Sequence, residues 1–382
     1  MKKRTIFDTE HTLIRDAVRS FANEHIAPFY EEWEEQGQVS RQMWKEAGNY
    51  GLLSPNTPTK YNGLDADFLT NACIGEELSA LGFVGPAVGF SIHSDITTPY
   101  IIKYGTEAQK ERILPGCVSG EIILAIAMSE PGAGSDLQGI KTTAVKDGND
   151  YIINGSKVFI TNGQLCDMVL VVAKTDPNAG AKGISLFLVD ANTKGFSRGK
   201  NLKKIGLQSQ DTSELFFDNV RVSKDNLLGQ EGKGFFMLMS ELPAERMSLS
   251  VGAIAAAQSI LNQTIQYTAQ RKAFGQPIAS FQNTQFKLAE MDTDLTVAQV
   301  FIDHCLQLLV KGELDDVTAA KAKLMSSELQ CKVIDECLQL HGGYGYMMEY
   351  PVARAYLDAR VQRIYAGTSE IMKVIISRDL FK

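Results

Sequence analysis

The chain has 382 residues, 44% of them hydrophobic and 22% charged, with a net charge of -7. That length exceeds one simple core, so two or three domains are expected from an otherwise ordinary globular composition. An acidic balance without any basic block excludes a nucleic-acid footprint, and no run of about 18 apolar residues offers a membrane span.

The N-terminal stretch MKKRTIFDTEHTLIRDAV lacks an apolar segment and turns acidic by Asp8, so it reads as neither a signal peptide nor a transit peptide. Cys73, Cys117, Cys166, Cys305, Cys331 and Cys337 form no Cys-x-x-Cys pair and are expected to be core thiols in a reducing compartment. The histidines show no metal-ligand spacing. A cytoplasmic enzyme without a metal is the expectation.

Residues 8 to about 120 read as helices over 8–30, 40–51, 66–81, 86–104 and 106–119, with Thr106 and Gln109 spaced as a helix-start box. Between about 121 and 230 the texture changes to short runs rich in Val, Ile, Phe and Thr, separated by turn residues. This spacing predicts an antiparallel barrel or sandwich, with Asp147-Gly148-Asn149-Asp150 as a hairpin turn. Helices return over 234–271, 281–311, 315–340, 351–365 and 369–381, joined by short connections as in a bundle. The expected class is therefore multi-domain α+β: an all-helical domain (1–120), a β-barrel (121–230) and a helical bundle (231–382).

Within the longest helical pattern, Phe235, Leu238, Leu242, Glu245, Leu249, Gly252 and Ala256 recur at spacings of three and four, a seam that should be buried. One member is a carboxylate, just after a Pro243 expected to kink the helix. Alone, Glu245 could be half of a buried ion pair or could turn out to water. Arg246, one residue on, points elsewhere on the helix and is not expected to pair with it.

Five further stretches could hold a ligand. Ser129-Glu130-Pro131-Gly132-Ala133-Gly134-Ser135-Asp136 follows a strand and reads as an anion-binding nest or a tight turn. In Lys157-Val158-Phe159-Ile160-Thr161-Asn162-Gly163, Phe159 and Thr161 share one face, either against a flat ring or merely at a strand end. Arg271 closes the long helix and could complement its dipole or grip a pyrophosphate. Gln339-Leu340-His341-Gly342-Gly343-Tyr344-Gly345-Tyr346 is a helix C-cap or a point of close backbone approach. Tyr365-Ala366-Gly367-Thr368-Ser369-Glu370 enters the last helix, whose first amides favour an oxygen anion.

Together AMSEPGAGSD, KVFITNG, RKAFG with Gln282, QLHGGYGY and YAGTSE resemble the acyl-CoA dehydrogenase family, in the family's order and over essentially the whole chain. GFSIHSDI, SELPAER, HGGYGYMMEYP and GTSEIMK are most similar to its long-chain branch. The resemblance implies one FAD per subunit, a homotetramer built as a dimer of dimers, an acyl-CoA substrate and electron-transfer flavoprotein as the acceptor of electrons. It implies that Ile126, Met128, Ser129, Gly134 and Ser135 line the flavin, with Phe159, Ile160 and Thr161 beside its ring. Arg271, Phe274, Gln282, Gln339, Leu340, Gly342 and Gly343 would reach a neighbouring subunit's cofactor, and Thr368, Ser369 and Glu370 would close the phosphate site. Val88, Ser91, Ser135, Arg246, Tyr365 and Gly367 would contact the substrate.

Most of the family places its catalytic glutamate where this chain has Ala366, and alanine cannot take a proton. In the long-chain and isovaleryl branches the base comes from the long helix, at the position of Glu245. The resemblance thus implies Glu245 as α-proton acceptor, the backbone N–H of Ala366 as a donor to the thioester carbonyl, and transfer of the β-hydride to flavin N5. Small residues near Val88, Ser91, Ile92, Ser248, Gly252 and Ala253 suggest a deep cavity for long or branched acyl groups, or simply close helix packing. A flavin oxidase and a catalytically silent acyl-CoA-binding relative are the rival readings.

Overall fold

The computed structural model describes residues 4–382; residues 1–3, the basic start of the N-terminal stretch, lie outside the described residues. The helices begin with α1 (Thr9–His25), α2 (Tyr30–Gln36), α3 (Arg41–Asn49), α4 (Phe68–Ala80), α5 (Val84–Ser91), α6 (Thr98–Tyr104) and α7 (Glu107–Ser119). Their starts are chemically marked. Asp8 caps α1, Ser40 caps α3 and Asp67 caps α4, each accepting from a first-turn amide. The Thr106–Gln109 box forms at α7 with reciprocal bonds of 2.9 and 3.2 Å.

The expected single helix over 86–104 is instead α5, a π-helical turn (Ile92–Thr97) and α6. Pro99 has no N–H to give to the preceding turn. The hydroxyls of Thr97 and Thr98 donate to the carbonyls of Ile92 and His93, both at 2.7 Å, which keeps the widened turn satisfied.

Eight strands follow: β1 (Leu124–Ala127), β2 (Thr143–Asp147), β3 (Asp150–Thr161), β4 (Met168–Lys174), β5 (Ile184–Asp190), β6 (Phe196–Asn201), β7 (Thr212–Ser223) and β8 (Leu227–Leu228). The expected hairpin turn joins β2 to β3, with Asp147 opposite Asp150 and Gly148 at φ +63°. The sheet is not the closed antiparallel barrel that the strand spacing predicted. Its order is β6-β7-β3-β2-β4-β5-β8, with β1 added parallel to β4. Closure fails because the two ends are poor partners: β8 has two residues, and β6 is mostly solvent-facing.

Burial in the sheet alternates with period two. On β4, Met168, Leu170 and Val172 face α6, α7 and the start of the next helix, whereas Val169, Val171 and Ala173 pack with residues of β2, β3 and β7. Both faces are covered, which explains why β4 and β5 read as unbroken apolar runs.

The chain then runs through α8 (Gly234–Gln270), a small hairpin of β9 (Lys272–Ala273) and β10 (Gln276–Pro277), α9 (Gln282–Val310), α10 (Asp316–His341), α11 (Pro351–Ala359) and α12 (Ser369–Leu380). Helix α8 continues unbroken past Pro243 and connects two cores. Met237 and Leu238 pack with the sheet, while Met247, Val251, Ile254 and Leu261 pack with α4, α9 and α10. Of the expected seam, Leu238, Glu245 and Ala256 are buried, but Phe235, Leu242, Leu249 and Gly252 are only half-buried.

Candidate active site

Glu245 lies on α8 between its sheet-facing and bundle-facing stretches and is 3% exposed. Among the described residues no basic side chain pairs with it; instead the Tyr100 hydroxyl donates to Oε1 at 2.8 Å. Burial raises the Glu245 pKa to about 7, with the Tyr100 bond pulling the other way and the nearby Glu241 charge adding to the rise. Arg246 contributes only a weak opposing charge, as its position one residue on predicts. Glu241 is itself held by Lys103 at 2.7 Å and by the Tyr104 hydroxyl. A carboxyl with a pKa near neutrality is suited to accept a weakly acidic proton and return it.

One turn along α8 from Glu245 a cavity opens between α4 and α5 on one side and α8 on the other. It is a narrow cavity of about 30 Å³, lined by Val88, Ser91, Leu249, Gly252 and Tyr365 among others. Val88, Ser91, Ser248 and Gly252 thus line it together, whereas Ile92 and Ala253 do not. Leu249 and Gly252 are half-buried because they face this space. Gly75 faces it too, and a Cβ there would meet nothing within 4 Å. A second acid, Asp95 of the π-helical turn, also lines the cavity, a residue that sequence reasoning passed over.

At the end of β1 the chain turns sharply: Glu130 and Ala133 exchange backbone hydrogen bonds of 2.9 and 3.1 Å around Pro131 and Gly132. Beyond the turn Gly134 and Ser135 are exposed, and a Cβ at Gly132 or Gly134 would meet nothing within 4 Å. The loop is anchored from beneath. Lys157 is 1% exposed and donates to Glu130 Oε1 at 2.9 Å and to the Met128 carbonyl at 3.0 Å. Glu130 also accepts from the amides of Lys141 and Thr142, so both oxygens of the buried carboxylate are bonded. Met128 and Ser129 are half-buried at the rim, while Ile126 packs into the sheet core.

Phe159 projects beside this loop, 69% exposed. Its φ of +61° and the register shift between Lys157 and Ile160 mark a bulge opposite β7. A large side chain held left-handed and in the open is a costly arrangement of the kind found at ligand sites. Ile160 turns into the core at 2% exposure, and Thr161 is half-buried.

Before α12, Ala366 and Gly367 are consecutive left-handed residues at φ +50° and +92°. The Lys323 ammonium, lowered to a pKa of about 8 by burial, donates to the Gly367 carbonyl at 2.8 Å and fixes the turn. Thr368 caps α12, Glu370 is exposed, and buried Ser369 donates to Glu328 at 2.7 Å. Arg246 is 4% exposed and its Nε has no partner. The Tyr365 hydroxyl is likewise buried and unpaired.

The remaining expected residues gather elsewhere. Arg271 lies over the Tyr344 ring at 5.3 Å, and Phe274 meets Phe281 edge-on at 6.3 Å while 96% exposed. Gln282, Gln339, Gly342 and Gly343 are exposed around them, whereas Leu340 packs into the helical core. The 26 residues from Glu245 to Arg271 correspond to about 39 Å of helix, so the two groups do not share a pocket within one chain.

Three family profiles match in succession: the acyl-CoA dehydrogenase N-terminal domain over residues 8–121, the middle domain over 125–220 and the C-terminal domain over 232–381. The chain is 52% identical to the long-chain specific acyl-CoA dehydrogenase, mitochondrial, of Rattus norvegicus, over 99% of this chain and 88% of that one. An acyl-CoA dehydrogenase structure from Geobacillus kaustophilus superposes with a TM-score of 0.96 at 47% identity, covering 99% of this chain and 100% of that one. One from Bacillus anthracis, complexed with FAD, superposes at 0.93 with 33% identity, covering 100% of this chain and 71% of the other. No helix among the described residues is long and apolar enough to cross a membrane. With these matches, and with its helical domains flanking a central sheet, the chain belongs to the acyl-CoA dehydrogenase family.

Proposed function

We propose that this enzyme removes the α- and β-hydrogens of a long or branched acyl-CoA, with Glu245 accepting the α-proton, to give a trans-2-enoyl-CoA. The observation that carries this reading is a carboxyl without a basic partner among the described residues, at a pKa of about 7, one helical turn from a cavity with apolar walls and one polar side.

The residues fit FAD. Glycines open to solvent, an exposed aromatic ring on a strained bulge and the loop anchored by Lys157 suit a flat ring, and Arg271 supplies a cation for a pyrophosphate. FAD, when bound, supplies the two-electron acceptor for the β-hydrogen.

The other roles belong to this chain. Ala366 offers its N–H to the thioester carbonyl, and the left-handed turn pinned by Lys323 sets its direction. Polarising that carbonyl acidifies the α-carbon, and Glu245 takes the proton onto a carboxylate oxygen. Tyr100 orients the carboxyl and limits its rise in pKa. The unpaired Nε of Arg246 gives a donor for the CoA portion. Val88, Ser91 and Tyr365 line the acyl path. Arg271, Phe274 and Gln282 serve a neighbouring subunit's FAD in a dimer of dimers, and electron-transfer flavoprotein takes the electrons onward.

Asp95 supports a second reading of the base, because it lines the cavity and Glu245 does not. Anaerobic mixing of Glu245→Gln and Asp95→Asn with a series of acyl-CoA thioesters, followed by flavin bleaching, separates the two. Glu245→Gln is expected to bind FAD and acyl-CoA and lose nearly all bleaching. Near-normal bleaching in that variant removes Glu245 from the chemistry. Peroxide formed in air, in place of electron transfer to the flavoprotein, would identify an oxidase instead.

A further inference from the structure

The cavity beside Glu245 has apolar walls but one polar side. Asp95 stands there, presented by the π-helical turn between α5 and α6. Its carboxyl accepts one hydrogen bond, from Asn71 Nδ2 at 2.7 Å. Among the described residues no basic side chain contributes to its environment, and burial lifts its pKa to about 6. The hydroxyls of Ser91 and Ser248 lie beside it and, with Asn71, hold its pKa below what burial alone would give. Among the described residues no bond of full geometry reaches either buried hydroxyl oxygen, and Oδ1 of Asn71, a residue only 3% exposed, is buried without a partner. All four side chains line the same cavity.

Buried polar groups almost always have partners, and leaving several unpaired beside a hydrocarbon is costly. Asp95 and Asn71 Oδ1 keep acceptor capacity on this wall of the cavity beyond the donors already around them. We infer that the cavity accepts an acyl chain carrying a hydroxyl group part-way along its length, and that Asp95 is the specificity-determining residue that receives the hydroxyl's hydrogen bond. A hydroxyl matches the inventory: it donates to Asp95 or to Asn71 Oδ1 and accepts from Ser91 or Ser248. An ammonium group would use only the acceptors and would have to shed its own hydration. Ser248 follows Glu245 by three residues, about 4.5 Å along α8, so the hydroxylated carbon lies a few bonds beyond the reacting pair.

This inference rests on the acyl-CoA reading above, and its test separates the two. The FAD-loaded enzyme is mixed anaerobically with unsubstituted straight-chain acyl-CoA thioesters and with an isomer series bearing one hydroxyl at successive mid-chain carbons. The ratio of kcat/KM, hydroxylated over unsubstituted, is then measured in the wild type, Asp95→Leu and Ser248→Ala. The expected wild-type ratio is at least about ten for one isomer, because a site built to bond a hydroxyl discriminates strongly against its absence. Asp95→Leu should lower that ratio by about ten-fold or more, and Ser248→Ala should lower it in the same direction if the Asp95 variant does not fold. A wild-type preference for the unsubstituted chain, with ratios in both variants within two-fold of wild type, would overturn the inference and leave the polar side as a seat for water. Loss of bleaching with every thioester in a flavin-replete Asp95→Leu enzyme would also overturn it, by assigning Asp95 to proton transfer. Failure of the wild type to bleach with any thioester would instead bring down the acyl-CoA reading itself.

Discussion

Tyr100→Phe isolates the one hydrogen bond that Glu245 receives. The hydroxyl donates at 2.8 Å to a carboxyl whose pKa burial has raised to about 7, and its bond holds that rise in check. A hydrogen bond to a charged group contributes about 1.5–3 kcal/mol. At about 1.36 kcal/mol per pH unit, losing it lifts the Glu245 pKa by roughly one to two pH units. Only the ionised carboxyl accepts a proton, so about half the wild-type sites are competent at pH 7. In the variant that fraction falls to between about a tenth and a hundredth. The acid limb of the flavin-bleaching rate, followed anaerobically by stopped flow from pH 5.5 to 9.5, should therefore move upward by about one to two pH units. Activity should largely return at the alkaline end. Tyr104→Phe, which touches only Glu241, should move the limb far less. An acid limb left in place by Tyr100→Phe, with FAD retained, would refute the assignment of Glu245 as the titrating base.

Because the folded pKa of Glu245 is raised from 4.5 to about 7, folding favours its protonated form; that contribution is full below pH 4.5 and is lost as pH rises through 7. The stability advantage of Glu245→Gln over wild type, from urea or thermal melts, should accordingly widen between pH 5 and pH 8, toward a ceiling of about 3 kcal/mol; a gap independent of pH contradicts this. Lys157→Met strands Glu130 in the interior and should cost about 3–5 kcal/mol in thermal or urea melts while loosening FAD, a loss of stability below 1 kcal/mol being the contrary result. Gly75→Ala adds a methyl to a helical site where nothing lies within 4 Å. It should stabilise the fold by about 0.5–1 kcal/mol and shift preference toward shorter acyl chains, checked by Tm and a chain-length series. Arg271→Ala should shed FAD during gel filtration far faster than wild type, and unchanged flavin content would contradict its proposed grip.

Much of this was legible along the chain because it is local. Caps, apolar periodicity and turn residues mark α7, α8 and the β2–β3 hairpin, and a carboxylate in a buried seam stands out at position 245. What escaped depends on pairing across the fold. Tyr100 and Glu245 are 145 residues apart, and nothing in the neighbourhood of either announces the other. Asp95 hid in an apolar stretch that reads as one helix, because a π-helical turn leaves the hydrophobic pattern almost unchanged. The burial of Lys157 is explained only by the Glu130 carboxylate beneath it, 27 residues away in the chain. Closure of the sheet is likewise decided by which edges meet, which strand spacing does not encode.

Helix α8 carries the proposed proton acceptor in its first half and, just past its far end, the arginine proposed to grip a pyrophosphate. In the assembly proposed above, every reaction centre is then a joint product of two chains. Co-expressed subunits bearing either Glu245→Gln or Arg271→Ala should complement one another, since the Arg271→Ala chain keeps the acid and borrows an arginine from its neighbour. Two individually crippled genes would yield a partly working enzyme, and a lesion at the helix's far end would be felt by a neighbouring subunit rather than by the chain that bears it.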